Sequence, residues 1–335
     1  MSLGKYNSPM ATITQFSAPA EQNQLINASE VSLLLERPLL DLVFEAASVH
    51  RLHHDPGRIQ CSQLLSVKTG GCSEDCGYCS QSAHSKTAVA REALLSVDVT
   101  LAAAKQAKEN GADRFCMGAA WREVRDGKEF DAVVEMVEGV KNLGLETCVT
   151  LGMLKPHQAE RLQSAGLDFY NHNLDTGRSH YDKVVTTHSY DERLDTLAAV
   201  RAAGIQVCSG GILGLGESRL ARAELLAELA NLSPQPESVP INSLVPIDGT
   251  PMGEAAEVDW SEIVSVVAAT RILMPHTTIR LSAGRRSMTE EAQAMCFLGG
   301  ANSIFLGDQL LTTPNPEPST DAALLKKLGL RSTSQ

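Results

Sequence analysis

From Ile59 onward, short runs rich in β-branched and aromatic residues alternate with longer stretches whose apolar positions recur every three or four residues. That alternation predicts repeated βα units around a parallel sheet. The strand-like runs begin near Ile59, Asp113, Glu146, Asp168, Ile205, Ser238, Thr277 and Asn302. Helical patterns fill the intervals at 100–109, 131–142, 155–164, 190–203, 218–229, 261–272 and 290–298, several followed by a glycine suited to a C-cap. Eight such units predict a closed (βα)8 barrel of the TIM type, an α/β fold in a single domain. Upstream, 30–45 reads as helical and belongs to a short N-terminal helical extension (29–58); the leader before it (1–28) is rich in Ser, Pro, Gln and Asn and is expected to be disordered. The barrel is assigned to 59–311, and 312–335 to a C-terminal segment packing on it.

Within a strand, alternate side chains point to opposite faces, and the face toward the surrounding helices must be apolar. In the fifth run Ile205 and Val207 satisfy that face and leave Gln206 and Cys208 inward. In the seventh, Ile279 and Leu281 leave Thr278, Arg280 and Ser282 inward. The same test turns Cys116, Cys148 and Asn242 into the lumen. Barrel interiors are normally layered with Val, Ile and Leu, so thiols, amides and a guanidinium there point to a ligand or to a hydrogen-bonded polar core. As a set, they favour the ligand.

Composition narrows the partners. The 335 residues include 29 Lys+Arg against 40 Asp+Glu, a formal charge of -11 that repels phosphate backbones and anionic lipid, so neither nucleic acid nor membrane is expected as a partner. No basic stretch leads into an apolar run and no segment has membrane-spanning length, so a cytoplasmic location is expected. In a reducing compartment the eight cysteines read as metal-binding, catalytic or plainly buried rather than as disulfides.

Three of them, Cys72, Cys76 and Cys79, follow the first strand directly, at the barrel end where βα loops build active sites. A structural zinc ion would need a fourth ligand, and neither His84 nor Cys61 stands at a familiar zinc spacing. Three thiolates suit a cubane iron–sulfur cluster that leaves one iron open to a substrate or cofactor. Gly77 is expected to let this loop turn tightly. The run 210–217 superficially suggests a nucleotide loop but lacks the last glycine of a dinucleotide fingerprint, and it reads as a βα loop.

The spacing Cys-x3-Cys-x2-Cys, with Tyr78 before its last cysteine, resembles the radical S-adenosylmethionine superfamily. From about Cys61 to Leu330 the chain resembles the biotin synthase family. The likeness rests on LLSVKTGG at 64–71, RFCMGAAW at 114–121, TCVTLG at 147–152, YNHNLDT at 170–176, VCSGGILGLGE at 207–217, VPIN at 239–242, RLSAGR at 280–285 and TTPNP at 312–316.

This resemblance implies an enzyme of the last step of biotin biosynthesis. It would insert sulfur into dethiobiotin after two hydrogen abstractions by radicals derived from S-adenosylmethionine. It implies Cys72, Cys76 and Cys79 as ligands of a 4Fe-4S cluster, and Cys116, Cys148, Cys208 and Arg280 as ligands of a sulfur-donating 2Fe-2S cluster. From chemistry alone Arg280 reads better as a charge partner of an anionic cluster, because a guanidinium normally stays protonated. Tyr78, Ala119 and Ile212 are implied to contact S-adenosylmethionine, Asn173 and Asp175 to meet its ribose, and Arg193 its carboxylate. The alternative for Tyr78, less favoured than contact with the adenine, is a loop aromatic covering the barrel mouth, and read without the family Asp175 and Arg193 suit turn or cap roles. Asn171 and Asn242 are implied near the ureido ring, which an amide complements in both senses, and Thr312 and Thr313 near the substrate carboxylate.

An electron donor such as flavodoxin or ferredoxin, iron–sulfur assembly proteins and a homodimer are implied as well. Cys61 and Cys296 are expected to be buried as small hydrophobes, and none of the nine histidines is assigned to catalysis. A lipoyl synthase or a maturase of the same fold is the neighbouring alternative, although a second dense cysteine motif near the N-terminus is missing. An electron carrier or iron–sulfur scaffold would have no need of a polar, substrate-lined lumen.

Overall fold

The computed structural model describes residues 25–333; residues 1–24 of the expected leader lie outside the described residues. Two helices come first, α1 (Ala28–Leu35) and α2 (Leu39–His53). The single helix expected over 30–45 is divided because Pro38 has no N–H for a helical bond; it stands instead as the N-cap of α2. A reciprocal capping box between Asn27 and Glu30 opens α1.

The barrel then runs β1 (Arg58–Lys68), α3 (Val97–Glu109), β2 (Arg114–Ala119), α4 (Lys128–Asn142), β3 (Glu146–Thr150), α5 (Pro156–Ser164), β4 (Phe169–Asn171), α6 (Arg178–Tyr181), α7 (Tyr190–Ala202), β5 (Gln206–Cys208), β6 (Gly211–Leu213), α8 (Arg219–Asn231), β7 (Ser238–Ser243), α9 (Trp260–Leu273), β8 (Thr278–Leu281), α10 (Glu290–Leu298) and β9 (Ser303–Leu306). After it come α11 (Pro318–Leu328) and β10 (Arg331–Ser332). Neighbouring strands pair in parallel, and β1 meets β9 with Gln60 opposite Ser303, which closes the ring. β5 and β6 make one stave interrupted at Ser209 and Gly210, beside Pro240 of β7. Proline has no N–H to offer the ladder. A Cβ on Gly210 would stand 2.0 Å from the Pro240 carbonyl oxygen, so here the two backbones touch. Counted this way the closed barrel has eight staves, and part of the run expected as a loop at 210–217 is strand.

Two separate cores result. Ile205, Val207, Ile279 and Leu281 pack outward in the large apolar layer between sheet and helices. Cys116, Cys148, Phe169, Cys208, Phe305 and Leu310 form a second cluster inside the ring. From Ile263 to Leu273 every residue of α9 is buried, because α2 lies across its outer side while α1 packs on α8. At the other end of the chain, α11 is pinned by a fully buried ion pair between Asp321 and Arg285 at 2.6 Å, and β10 pairs with the first residues of β1. Among the described residues no helix is long and apolar enough to cross a membrane.

Candidate active site

β1 delivers the three-cysteine loop to the barrel mouth. The turn is made by Gly70 and Gly71, both left-handed at φ 72° and 71°, and a Cβ on Gly70 would meet the Ala90 carbonyl oxygen at 2.5 Å. Gly77, expected to supply the tight turn, does not: its φ is not in the left-handed region and its nearest neighbour would be 3.4 Å from an added Cβ. Backbone bonds hold the loop, with Cys72 N donating to Gln81 O (2.9 Å), Ala83 N to Cys72 O (2.7 Å) and Cys79 N to Cys76 O (3.0 Å). Burial raises all three thiols, Cys79 to about 11, so iron binding there must displace protons.

Beneath the loop runs a buried polar chain. Glu74 accepts from His188 Nδ1 at 2.6 Å and from Thr187, and it pairs with Arg122 at 3.3 Å. Burial alone would raise the Glu74 carboxyl, but these hydrogen bonds outweigh it and hold it below the ordinary range. His188 Nε2 lies 2.8 Å from Tyr181 Oη, which also accepts from Arg193 Nε at 2.5 Å. Arg193 Nη2 pairs with Asp175 at 2.8 Å, and Tyr78 donates to the same Asp175 oxygen at 2.9 Å. Among the described residues Asp175 is the one non-glycine with positive φ, at 65°, a strained conformation that an aspartate tolerates better than most.

A cavity of about 350 Å³ extends from this loop into the lumen. Its walls include Cys72, Cys76, Tyr78, Cys79, Cys116, Ala119, Cys148, Asn171, Asn173, Asp175, Arg193, Ile212, Asn242, Arg280, Thr312 and Thr313. Cys208 is absent from that wall and sits one step behind it, fully buried, with Asn171 Nδ2 3.3 Å and Arg280 Nη1 4.0 Å from its sulfur. Cys116 and Cys148 are directly opposed across β2 and β3. Hydrogen bonds with Cys148 lower Cys116 and Cys208, with Arg280 and Arg114 also favouring the thiolates, while the same bonds raise Cys148 as the shared proton donor. Arg280 is held by Ser303 Oγ and Ser62 Oγ, each at 3.1 Å, and lies 4.6 Å from the Phe305 ring centre. Asn171 Oδ1 accepts a hydrogen bond from Thr150 Oγ1 at 3.1 Å; Asn242 bridges Gly211 O (3.0 Å) and Ala283 N (3.2 Å). Thr312 shares a hydrogen bond with Ser80 at 2.8 Å.

The donor chemistry fits iron–sulfur clusters at both levels: thiols in threes, no fourth thiol beside the mouth set among the described residues, and cationic groups facing the inner set. Among the described residues no three His, Cys, Asp or Glu side chains are disposed to hold a single metal ion, whereas a cluster bridges thiols lying further apart. All eight cysteines are free, and Cys61 and Cys296 are buried in the apolar layer as expected. Arg114, not among the expected site residues, shares the inward parity of Cys116 and lies with its guanidinium 3.5 Å from the Phe169 ring centre. Glu74 and His188 are further additions, and their pairing across 114 residues leaves no spacing signal in the sequence.

Residues 66–229 match the radical SAM superfamily, and residues 240–331 match the Biotin and Thiamin Synthesis associated domain. Biotin synthase of Methylobacterium sp. (strain 4-46) is 57% identical over 95% of this chain and 96% of its own. Biotin synthase of Gloeobacter violaceus is 58% identical, covering 90% and 95%. The crystal structure of methylornithine synthase shares the fold, with a TM-score of 0.74 at 18% identity over 92% of this chain and 95% of that one. With more than half of all positions identical along nearly the full length of two such relatives, the chain belongs to the biotin synthase family of radical S-adenosylmethionine enzymes.

Proposed function

We infer that this chain is a radical S-adenosylmethionine sulfurtransferase that inserts sulfur into dethiobiotin to form biotin, the last step of biotin biosynthesis. The observation that carries the reading is the presence of two cysteine sets at one cavity, three at the mouth and three in the lumen, where Cys116 and Cys148 line the wall and Cys208 lies just behind it beside Asn171. Cys72, Cys76 and Cys79 would hold a 4Fe-4S cluster, which would supply the electron for reductive cleavage of S-adenosylmethionine. The chain's own residues bind, orient and exclude water.

Asn173 and Asp175 receive the ribose hydroxyls, Arg193 the methionine carboxylate, and Tyr78, Ala119 and Ile212 the adenosine end. The bonds of Asp175 with Tyr78 and Arg193 support this by fixing all three before the cofactor arrives. Asn171 and Asn242 flank the ureido ring, and Thr312 and Thr313 the substrate carboxylate. Cys116, Cys148, Cys208 and Arg280 would hold a 2Fe-2S cluster that would serve as the sulfur donor, Arg280 chiefly as its charge partner. The ring of helices and the apolar outer layer keep water from the reacting carbons.

An electron donor such as flavodoxin or ferredoxin and iron–sulfur assembly proteins complete the system. Exposed Leu40, Phe44 and Leu52 along α2 support a homodimer, and eight free cysteines support a reducing, cytoplasmic setting. Anaerobic incubation with S-adenosylmethionine and a reductant tests the activity. Dethiobiotin should stimulate release of 5′-deoxyadenosine and yield biotin; 5′-deoxyadenosine release indifferent to dethiobiotin would defeat the assignment.

A further inference from the structure

The opposite end of the barrel is built unlike an ordinary barrel floor. Two residues before each lumen ligand on its strand, and so on the same inward face, stands a polar side chain: Glu146 below Cys148, Gln206 below Cys208, Arg114 below Cys116 and Thr278 below Arg280. Gln60 takes the same place below Ser62. Such a layer lies only about 7 Å beneath the ligands. Barrel floors are normally closed by branched apolar side chains. Here Glu146 and Gln206 face inward and are exposed, and Gln60, Glu146 and Thr278 line a second cavity of about 930 Å³ at the N-terminal end of the strands.

The layer is also continuous with the thiol set. Gln60 donates to Glu146 at 2.9 Å and accepts from Arg280 Nη2 at 3.4 Å; Glu146 accepts from Arg114 Nε at 3.0 Å. Arg114 is 1% exposed, yet its Nη1 has no hydrogen-bond partner among the described residues. A buried cationic N–H without an acceptor is costly and suits the passage or lodging of an anion. The rim carries carboxylates at Asp55 and Asp113 and ammonium at Lys108, so both signs of ion meet complementary charge on the way in.

We propose that this polar floor is the route by which iron and sulfide ions reach Cys116, Cys148 and Cys208, so that the inner cluster is laid down from below while the mouth stays filled. The proposal rests on the assignment of those residues to a 2Fe-2S cluster. Passage alone is assigned to the floor; no bond is made or broken there.

The test starts from protein stripped of the inner cluster but retaining the 4Fe-4S cluster. Ferric iron and sulfide are added anaerobically, with and without saturating S-adenosylmethionine and dethiobiotin, and regrowth is followed by visible absorbance and iron count. Regrowth should proceed at about the same rate with the mouth filled or empty. Thr278→Leu, which puts hydrocarbon in the floor, should slow it about ten-fold. Gln60→Ala, which opens the floor, should speed it, and this variant decides the matter if Thr278→Leu does not fold. Regrowth halted by filling the mouth, or indifferent to Gln60→Ala, overturns the route. Absence of any second cluster in the unsubstituted protein instead overturns the two-cluster reading, and the route with it.

Discussion

Single residues divide the cysteines into two independent sets, and substitution should expose the division. Cys72→Ala, Cys76→Ala and Cys79→Ala should each abolish 5′-deoxyadenosine formation while leaving the iron of the proposed inner cluster in place, measured by iron count and Mössbauer spectra. Arg280 reaches the Cys208 sulfur only at 4.0 Å while two serine hydroxyls hold its other nitrogens. Arg280→Ala should therefore be milder than Cys208→Ala in inner-cluster content; equal loss would make the arginine a ligand in its own right. Strand parity made Cys116, Cys148, Cys208, Asn242 and Arg280 legible as inward, because one face of each strand had to be apolar. Parity could equally have found Arg114. It could not have found the Glu74–His188–Tyr181–Arg193 chain, which depends on loops meeting in space rather than on any period along the chain.

At the level of elements, the long helices from α3 to α10 were legible from their apolar recurrence and caps, while the short or interrupted ones were not. The apolar period resumes beyond Pro38 and hides the break between α1 and α2. The glycine-rich composition of 207–217 masks β6, and the break that separates it from β5 lies beside Pro240 of the neighbouring strand. The expected C-terminal segment contains α11, anchored by Asp321 to Arg285 with both side chains 2% exposed or less. Asp321→Ala would leave Arg285 charged, buried and short of its partner, costing about 3–5 kcal/mol. A urea midpoint should register that loss. A change well under 1 kcal/mol, the worth of an exposed pair, would mean that water reaches Arg285.

For the whole molecule, eight recurring βα units were sufficient to foresee ring closure, but not how the N-terminal extension is fastened to the ring. That joint is aromatic and cationic: His50 and His54 stack at 5.3 Å, and the Arg271 guanidinium of α9 lies 2.7 Å from His54 Nε2. Burial, then the Arg271 charge, pushes His50 down to about 3 and His54 to about 4 from an ordinary 6.5. With depressed values in the folded state, the stability is complete above pH 6.5. It falls as pH drops through the window toward 4, where the unfolded chain takes up protons that the folded one refuses. At pH 5 His50 alone should cost about 2 kcal/mol. The thermal midpoint should fall between pH 7.5 and 5, and His50→Leu should flatten that slope; an unchanged slope would show that the histidine is not the acid-sensitive element.

Ring closure also has a consequence in time. The contact between Gln60 and Ser303 joins residues 243 positions apart, so β1 is made long before the strand that seals it. At about 5–20 residues per second of synthesis, the growing chain spends roughly ten to fifty seconds as an open, curved sheet. Until that strand is made the ring cannot enclose Cys116 and Cys148, nor Cys208 over the last 95 of those residues. The nascent protein therefore passes once through a period in which its inner thiols meet the surrounding medium, and its oxidants, without any gate.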